Sequence, residues 1–368
     1  MLKLAFAAIP LTESEFLDSL PAGRKRNTYA LAFLSLRHDP VSRRDAHVGA
    51  FLKKEKVLCK PGKRPVPRVI SPRDPRYNAC VGRYLKVIEG PIYKAIGKLF
   101  GGPTVMKGYN AFDSAREMRS AWDSFADPVA IGLDATRFDQ HVSEAMLSWE
   151  HRVYTQGYFR HSEELRTLLS WQLRNFATVR CHDGYMKYRT EGTRCSGDMN
   201  TALGNCLIMC ACVWSYCLSI GVRCRLFNNG DDCTVIVERR DAAKLDTLEE
   251  WFRHIGFLIE REPAVDIFEK IEFCQTHPVF DGRLWRMVRV PQVVLSKDCA
   301  ILPKTRTEAE WWSYLVSLGK CGLSLTGGMP VLQDHYVRLT RVPTSARLHE
   351  VTLDTGMAML AKGMHETY

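Results

Sequence analysis

The sequence predicts an α+β fold, an antiparallel sheet core flanked by helices, and three observations carry that expectation. The apolar run Val129-Ala130-Ile131-Gly132-Leu133 reads as a short buried strand. Apolar runs on either side of Asn228-Asn229-Gly230-Asp231 read as a hairpin. Between and after them, residues 198–219 and 241–255 read as helices, with strands at 257–260, 271–275 and 284–290. The order strand, helix, hairpin, helix, strand suits a sheet core with helical flanks.

The remaining elements follow in chain order. The first fifty residues mix short apolar runs with basic clusters and read as mostly helical. The prolines between Pro61 and Pro75 argue for an extended, irregular segment. Residues 80–100 read as a helix ended by Gly101-Gly102-Pro103, and 110–125 as another, broken at Asp127-Pro128. Residues 142–176 return to helical periodicity, and 190–197 form a polar loop ahead of the 198–219 helix. The last seventy residues read as mainly helical.

At 368 residues the chain holds two to three domains or one large composite. Its 46% apolar and 25% charged content excludes a disordered or fibrous protein. The net charge is +10, which favours polyanionic partners. Most of that excess is local. Segment 53–76 holds nine basic residues against Glu55 and Asp74, a net +7. Thirteen cysteines, none spaced as CxxC, suit a reducing compartment rather than a disulfide scaffold or zinc site. Residues 207–220 form the longest apolar run, short of the roughly 20 needed to span a bilayer, so no integral membrane segment is expected.

The carboxylates carry the chemistry. Asp134 ends its strand, with Asp139 five residues on, and Gly230-Asp231-Asp232 occupies the hairpin turn. Neighbouring strands lie about 4.8 Å apart, so a strand-end carboxylate can face one in an adjacent turn. Such groups repel unless a cation sits between them. Mg²⁺ suits the position, because it prefers oxygen ligands and commonly shares carboxylates with substrate phosphates. Ser196 or Asp198 is a candidate cap for the following helix, whose N-terminal amides attract phosphate. Thr201 and Asn205, four apart, share one face of that helix.

Strand-Asp-x₄-Asp, then Ser-Gly-x₃-Thr-x₃-Asn on a helix, then Gly-Asp-Asp in a hairpin resembles the palm of positive-strand virus RNA-dependent RNA polymerases. Phe273-Cys274-Gln275 resembles the family's motif joining palm to thumb. Lys60-Pro61-Gly62-Lys63-Arg64-Pro65-Val66-Pro67-Arg68-Val69-Ile70 is similar to its basic fingers motif, above all in tombusvirus-like polymerases.

The resemblance implies a right-hand architecture. Fingers would cover 1–125, including 53–76, and an insertion at 143–190. The palm would cover 126–142 and 191–290, and the thumb 291–368. It implies RNA-directed RNA polymerase activity on an RNA template and nascent strand, with ribonucleoside triphosphates and two Mg²⁺ ions, Mn²⁺ being able to substitute. Asp134 and Asp231 would be the main metal ligands, with Asp232 nearby and the Ala135 carbonyl as an extra. Asp139, Ser196 and Asn205 would sense the ribose 2′-hydroxyl, supported by Thr201. Lys60, Lys63, Arg64 and Arg68 would meet triphosphate or template, and Cys274 and Gln275 would sit near the primer end. Where tombusvirus-like relatives tend to carry a lysine after Gly-Phe, Glu260 and Arg261 stand here, so no general acid for pyrophosphate is assigned.

The implied location is the host cytoplasm, in a membrane-associated replication complex held through other viral replicase or host factors. A reverse transcriptase is disfavoured by Asp139, where those enzymes usually place a bulky residue. An inactive RNA-binding replicase subunit is disfavoured by the intact carboxylates.

Overall fold

A computed structural model describes residues 7–56, 66–181, 183–300 and 307–341. Mixed helices and antiparallel sheets give the expected α+β class. The chain opens with helices α1 (Glu13–Asp18) and α2 (Arg24–Leu36), then strands β1 (Val48–Leu52) and β2 (Val69–Ile70). Helix α3 (Pro75–Phe100) begins five residues earlier than its apolar pattern suggests. Pro75 holds the first helical turn, where a missing N–H costs nothing, and the Asp74 side chain accepts from Arg76 N–H as the cap. Gly101, at φ 78°, ends the helix in the left-handed region that favours glycine.

Helix α4 (Ala111–Trp122) precedes β3 (Pro128–Ala135), the centre of the main sheet. After α5 (Phe138–His141), α6 (Glu144–Gly157) and α7 (Glu163–Ser170) comes a departure from expectation. Residues 174–191 form a hairpin, β4 (Arg174–Cys181) and β5 (Gly184–Glu191), so the helical reading to 176 is corrected there. The run Arg174-Asn175-Phe176-Ala177-Thr178-Val179 is rich in β-branched and aromatic residues, and Gly184, at φ 147°, opens β5 opposite Cys181 in a conformation that favours glycine.

Helix α8 (Thr201–Ser219) is apolar on nearly every face and lies in the core. It has the length and hydropathy of a bilayer-crossing helix, but 67% of its apolar window is buried within the fold. Strands β6 (Arg225–Asn229) and β7 (Asp232–Glu238) form the expected hairpin. A 3-10 segment, Arg239–Thr247, leads into α9 (Leu248–His254) and β8 (Ile259–Arg261). The strand expected at 271–275 is displaced: β9 (Thr276–Phe280) starts after a tight turn and pairs with β10 (Trp285–Arg289). Helices α10 (Pro291–Lys297), α11 (Glu308–Thr326) and α12 (Leu332–Thr340) complete the described chain.

The main sheet runs β6-β7-β3-β8, all antiparallel. Residues 233–237 of β7 are buried without interruption, because both faces of the sheet are covered. Val129, Ile131 and Leu133 pack with α3, α8 and α9. Ala130 and Ile236 join α4 and Met287 of β10 on the opposite face. That second face runs out of cover at the end of β3, and the site lies there. A separate sheet has the order β2-β1-β4-β5, with β1 parallel to β4.

Candidate active site

Leu133 faces the core, so strand alternation turns Asp134 to the other face at the end of β3. Leu133 is paired with Cys233, and the next position brings Asp134 level with Asp232. On the other flank, Asp134 is paired with Glu260 and Ala135 with Ile259 of β8. Asn229 and Asp232 close the β6-β7 hairpin around Gly230, at φ 94°, and Asp231. The Asn228 side chain braces this turn, donating to Gly230 O at 2.7 Å and accepting from Gly230 N–H at 3.2 Å.

Asp134, Asp231 and Asp232 are thus gathered at one exposed sheet end. Partial withdrawal from water, then the charges of Asp231 and Asp134, raise the Asp232 carboxyl above its ordinary range. Glu262 is raised by burial, and further by Glu272, Asp134 and Asp232. The nearby cation is Lys107, whose Nζ donates to Asn229 Oδ1 at 2.8 Å. Its loop is bound to β6, with Asn228 N–H donating to Thr104 O at 2.9 Å.

A hard divalent cation fits this donor set, because every ligand offered is a carboxylate or carbonyl oxygen and Lys107 offsets their mutual repulsion only in part, Asp232 remaining raised. Among the described residues no group of three His, Cys, Asp or Glu side chains closes a metal cluster by itself.

Cys274 and Gln275 form the turn that displaces the expected strand. Phe273 and Thr276 exchange backbone hydrogen bonds at 2.9 and 3.0 Å, and both central residues have positive φ, 52° and 59°. This is the geometry glycine usually supplies in a two-residue hairpin turn. The turn delivers the Cys274 thiol to Asp232 Oδ2 at 3.7 Å, while Asn229 Nδ2 donates to Cys274 Sγ at 3.3 Å. Burial, then the Asp232 charge, pushes the thiol up to about 12, so it stays protonated and donates. A left-handed L-residue costs roughly 1–2 kcal/mol, partly offset by the extra chain entropy of glycine. Gln275→Gly should therefore stabilise the protein by up to about 1 kcal/mol in urea unfolding.

A second cluster surrounds Asp139. Asn205 Nδ2, on α8, donates to Asp139 Oδ1 at 2.7 Å, and Arg194 Nε donates to Asn205 Oδ1 at 3.1 Å. Burial raises Asp139 above the ordinary carboxylate range, against the lowering effects of Asn205 and Arg194. Arg194 is anchored by an ion pair with Glu150 in which both side chains are 0% exposed. Tyr154 donates to Glu150 Oε1 at 2.7 Å, and Asn200 donates to the same atom at 2.6 Å. Gly204 packs against this pair, where a Cβ would run into Arg194 Nη2 and Glu150 Oε1.

Asp139 and Asn205 are therefore joined, but Ser196 is bonded elsewhere. Its hydroxyl accepts from Ser71 N–H at 3.1 Å, beside a bridge between Pro72 and Gly197. Thr201 donates to Cys195 O at 2.8 Å, closing the loop onto the first turn of α8. Neither Ser196 nor Asp198 caps that helix. Asn200 holds the cap position without a capping bond, because its amide is committed to Glu150 and Gln172. Asp198 is instead paired in the interior with Arg73, which also donates to Ala46 O at 2.5 Å and Asn175 Oδ1 at 2.6 Å.

The basic segment is accordingly less free than its charge suggests. Arg73 is held by Asp198 and Arg76 by Asp45 at 3.0 Å, while Arg68 and Lys53 reach Glu55 at 3.5 and 3.3 Å. Arg68 stays largely exposed, so its weak surface pair leaves it available. Lys60, Lys63 and Arg64 lie outside the described residues. Arg261 is engaged with Asp246 at 2.7 Å. Glu150 was not among the candidates from sequence, although a signal exists: it shares a helix face with Leu147 and Tyr154, and an acid on a buried face needs a partner.

A family model described as "Viral RNA dependent RNA polymerase" matches residues 1–366. The RNA-directed RNA polymerase of Tobacco necrosis virus (strain A) is 46% identical over 331 residues, 90% of this chain and 45% of that protein. That of Melon necrotic spot virus is 46% identical over 96% of this chain and 45% of its own length. That of Turnip crinkle virus is 43% identical over 98% of this chain and 47% of its own. The chain spans less than half the length of these relatives.

Proposed function

The chain belongs to the viral RNA-dependent RNA polymerase family, and on that premise we propose that it extends RNA on an RNA template from ribonucleoside triphosphates. The observation that carries this reading is the convergence of Asp134 with the Asp231-Asp232 turn, next to the Asp139–Asn205 hydrogen bond.

We assign the β6-β7-β3-β8 sheet to a palm over 126–142 and 191–290. Fingers cover 1–125 and 143–190, and a helical thumb covers 291–368. Asp134 and Asp231 hold the divalent ions, with Asp232 and the Ala135 carbonyl beside them. Bound magnesium, or manganese in its place, supplies charge neutralisation for the triphosphate and lowers the pKa of the attacking 3′-hydroxyl. The chain's own part is positioning. Asp139 and Asn205 present a buried polar pair to the ribose, and a deoxyribose would leave one hydrogen-bonding group unmet. Ser196 and Thr201 hold the loop that abuts this pair. Arg68, with Lys60, Lys63 and Arg64, meets triphosphate or template phosphates. The Cys274-Gln275 turn supports Asp232 close to the primer end. The longer relatives suit a replicase whose other parts or host factors tether it to membranes in the host cytoplasm.

A template-dependent extension assay with Mg²⁺, comparing ribonucleotides with deoxyribonucleotides, tests the reading. Ribonucleotide incorporation should exceed deoxyribonucleotide incorporation by at least about 100-fold, and Asp139→Ala should narrow that ratio about tenfold or more. Equal use of the two substrates would point to a reverse transcriptase. No metal-dependent incorporation would leave an RNA-binding subunit.

A further inference from the structure

The β2-β1-β4-β5 sheet has two unlike faces. On one, Val48, Ala50 and Ala177 pack with Cys195, so this side is turned toward the loop leading into α8. The opposite face is open. Alternation puts Arg174, Phe176 and Arg180 of β4 on it, and the register sets Arg189 opposite Phe176 and Tyr185 opposite Arg180. Lys187, opposite Thr178, lies between them. Phe51 shares this face through the pairing of Gly49 with Thr178, two residues before it.

Three aromatic rings are held in water here, with Phe51 50%, Phe176 40% and Tyr185 69% exposed. Cations cover two of them. Arg189 lies 4.8 Å and Arg43 5.9 Å from the Phe176 centroid, and Lys187 lies 5.3 Å from that of Tyr185. Arg43, Arg174, Arg180, Lys187 and Arg189 are all exposed. Among the described residues none of them is in an ion pair, whereas Arg73 and Arg194 are each committed to a buried acid. The one acid within the two strands is Glu191, opposite Arg174.

We propose that this open sheet face binds single-stranded RNA independently of sequence. Five cations that form no ion pair among the described residues repel one another, and a polyanion relieves that repulsion. Residues two apart on a strand are spaced by about 6.8 Å, which spreads the cations along a row as an extended phosphate backbone requires. Phe51, over which no cation lies among the described residues, gives an unpaired base a stacking surface that any base can use. The guanidinium planes over Phe176 extend that surface. The cations already seated over Phe176 and Tyr185 are held in place for phosphate and keep the rings from inserting into an apolar phase, which favours RNA over a membrane. The inference goes beyond the polymerase reading and uses none of its carboxylates.

The test uses the full chain and a fluorescein-labelled 12-nucleotide oligouridylate, read by fluorescence anisotropy across a salt series without nucleotides. The triple variant Arg180→Gln, Lys187→Gln, Arg189→Gln should bind at least about tenfold more weakly. Its log-affinity against log-salt slope should be shallower by about 2, near 0.7 for each lost phosphate contact. In the unaltered protein, 4-thiouridine in the same oligonucleotide should crosslink to peptides containing Phe176 or Tyr185. The proposal is overturned if a variant with an unchanged melting temperature keeps its affinity and slope, or if crosslinks avoid both peptides. Loss of binding to phosphatidylserine vesicles with RNA affinity intact would overturn it equally. If the triple variant fails to fold, the crosslinks decide. Neither readout needs nucleotide incorporation, so failure here and failure of the polymerase reading are separable.

Discussion

Asp231→Asn should reduce nucleotide incorporation by at least about 1,000-fold while leaving the melting temperature and RNA affinity close to those of the unaltered chain. Asp231 lies in the exposed turn between Gly230 and Asp232, so an amide of the same shape fits without repacking. The substitution also removes one of the like charges that raise Asp232, which spares the fold a repulsion. What it takes away is a negative oxygen for the divalent ions. Losing about 4 kcal/mol of charge stabilisation corresponds to a thousandfold in rate. Primer extension with radiolabelled ribonucleotides, alongside thermal melting, checks both halves. Retained incorporation in a folded variant would sink the assignment of this carboxylate.

Glu150→Leu should have the largest effect on stability. It strands the Arg194 guanidinium in a site where both side chains of the pair are fully buried. Removing one member of such a pair costs about 3–5 kcal/mol, because the remaining charge is left without compensation. Burial lowers the Arg194 pKa and the Glu150 carboxylate more than offsets this. Arginine stays protonated in proteins, so the guanidinium keeps its charge when its partner is removed. Tyr154 and Asn200 would lose an acceptor at the same time. The double variant Glu150→Leu, Arg194→Met should recover much of the loss, since apolar replacement of a whole buried pair is often close to neutral. Urea denaturation of the single and double variants measures the difference. If both are equally unstable, the cost lies in packing around α6 rather than in the stranded charge.

Activity should not recover with stability in that double variant. Arg194 Nε is what orients Asn205, and Asn205 in turn holds Asp139. Met has no donor for this purpose. Discrimination between ribonucleotides and deoxyribonucleotides should therefore fall even where the fold is restored.

The sequence makes the main sheet and its acidic end legible because local signals coincide there. A buried strand ends in Asp134, a glycine turn carries Asp231 and Asp232, and a helix with little polar surface lies between them. The N-terminal sheet is harder to read. Its β1 and β2 are short, β1 is parallel to β4, and the pairing of Val48 with Ala177 spans far more chain than periodicity can see. The same holds for Arg73, which looks like part of a surface charge run. Only the folded chain brings Asp198, Asn175 and the Ala46 carbonyl to its guanidinium. The Cys274-Gln275 turn is hidden for a different reason, because neither residue carries the glycine or asparagine signature of its backbone conformation.

The tie between Arg73 and Asp198 also governs when the site comes into being. The two residues are 125 positions apart, and the bond from Ser71 to Ser196 spans the same distance. Contacts of such separation close only after large losses of chain entropy, so they form late in folding. On the ribosome, the loop ahead of α8 stays unanchored until the chain has emerged past Asp198, and Asp134 lacks its hairpin partners until Asp231 and Asp232 follow. A nascent chain therefore carries its basic segment into solution well before it has an organised centre to serve. Termination between the basic segment and β7 yields a cationic segment without a place to do chemistry.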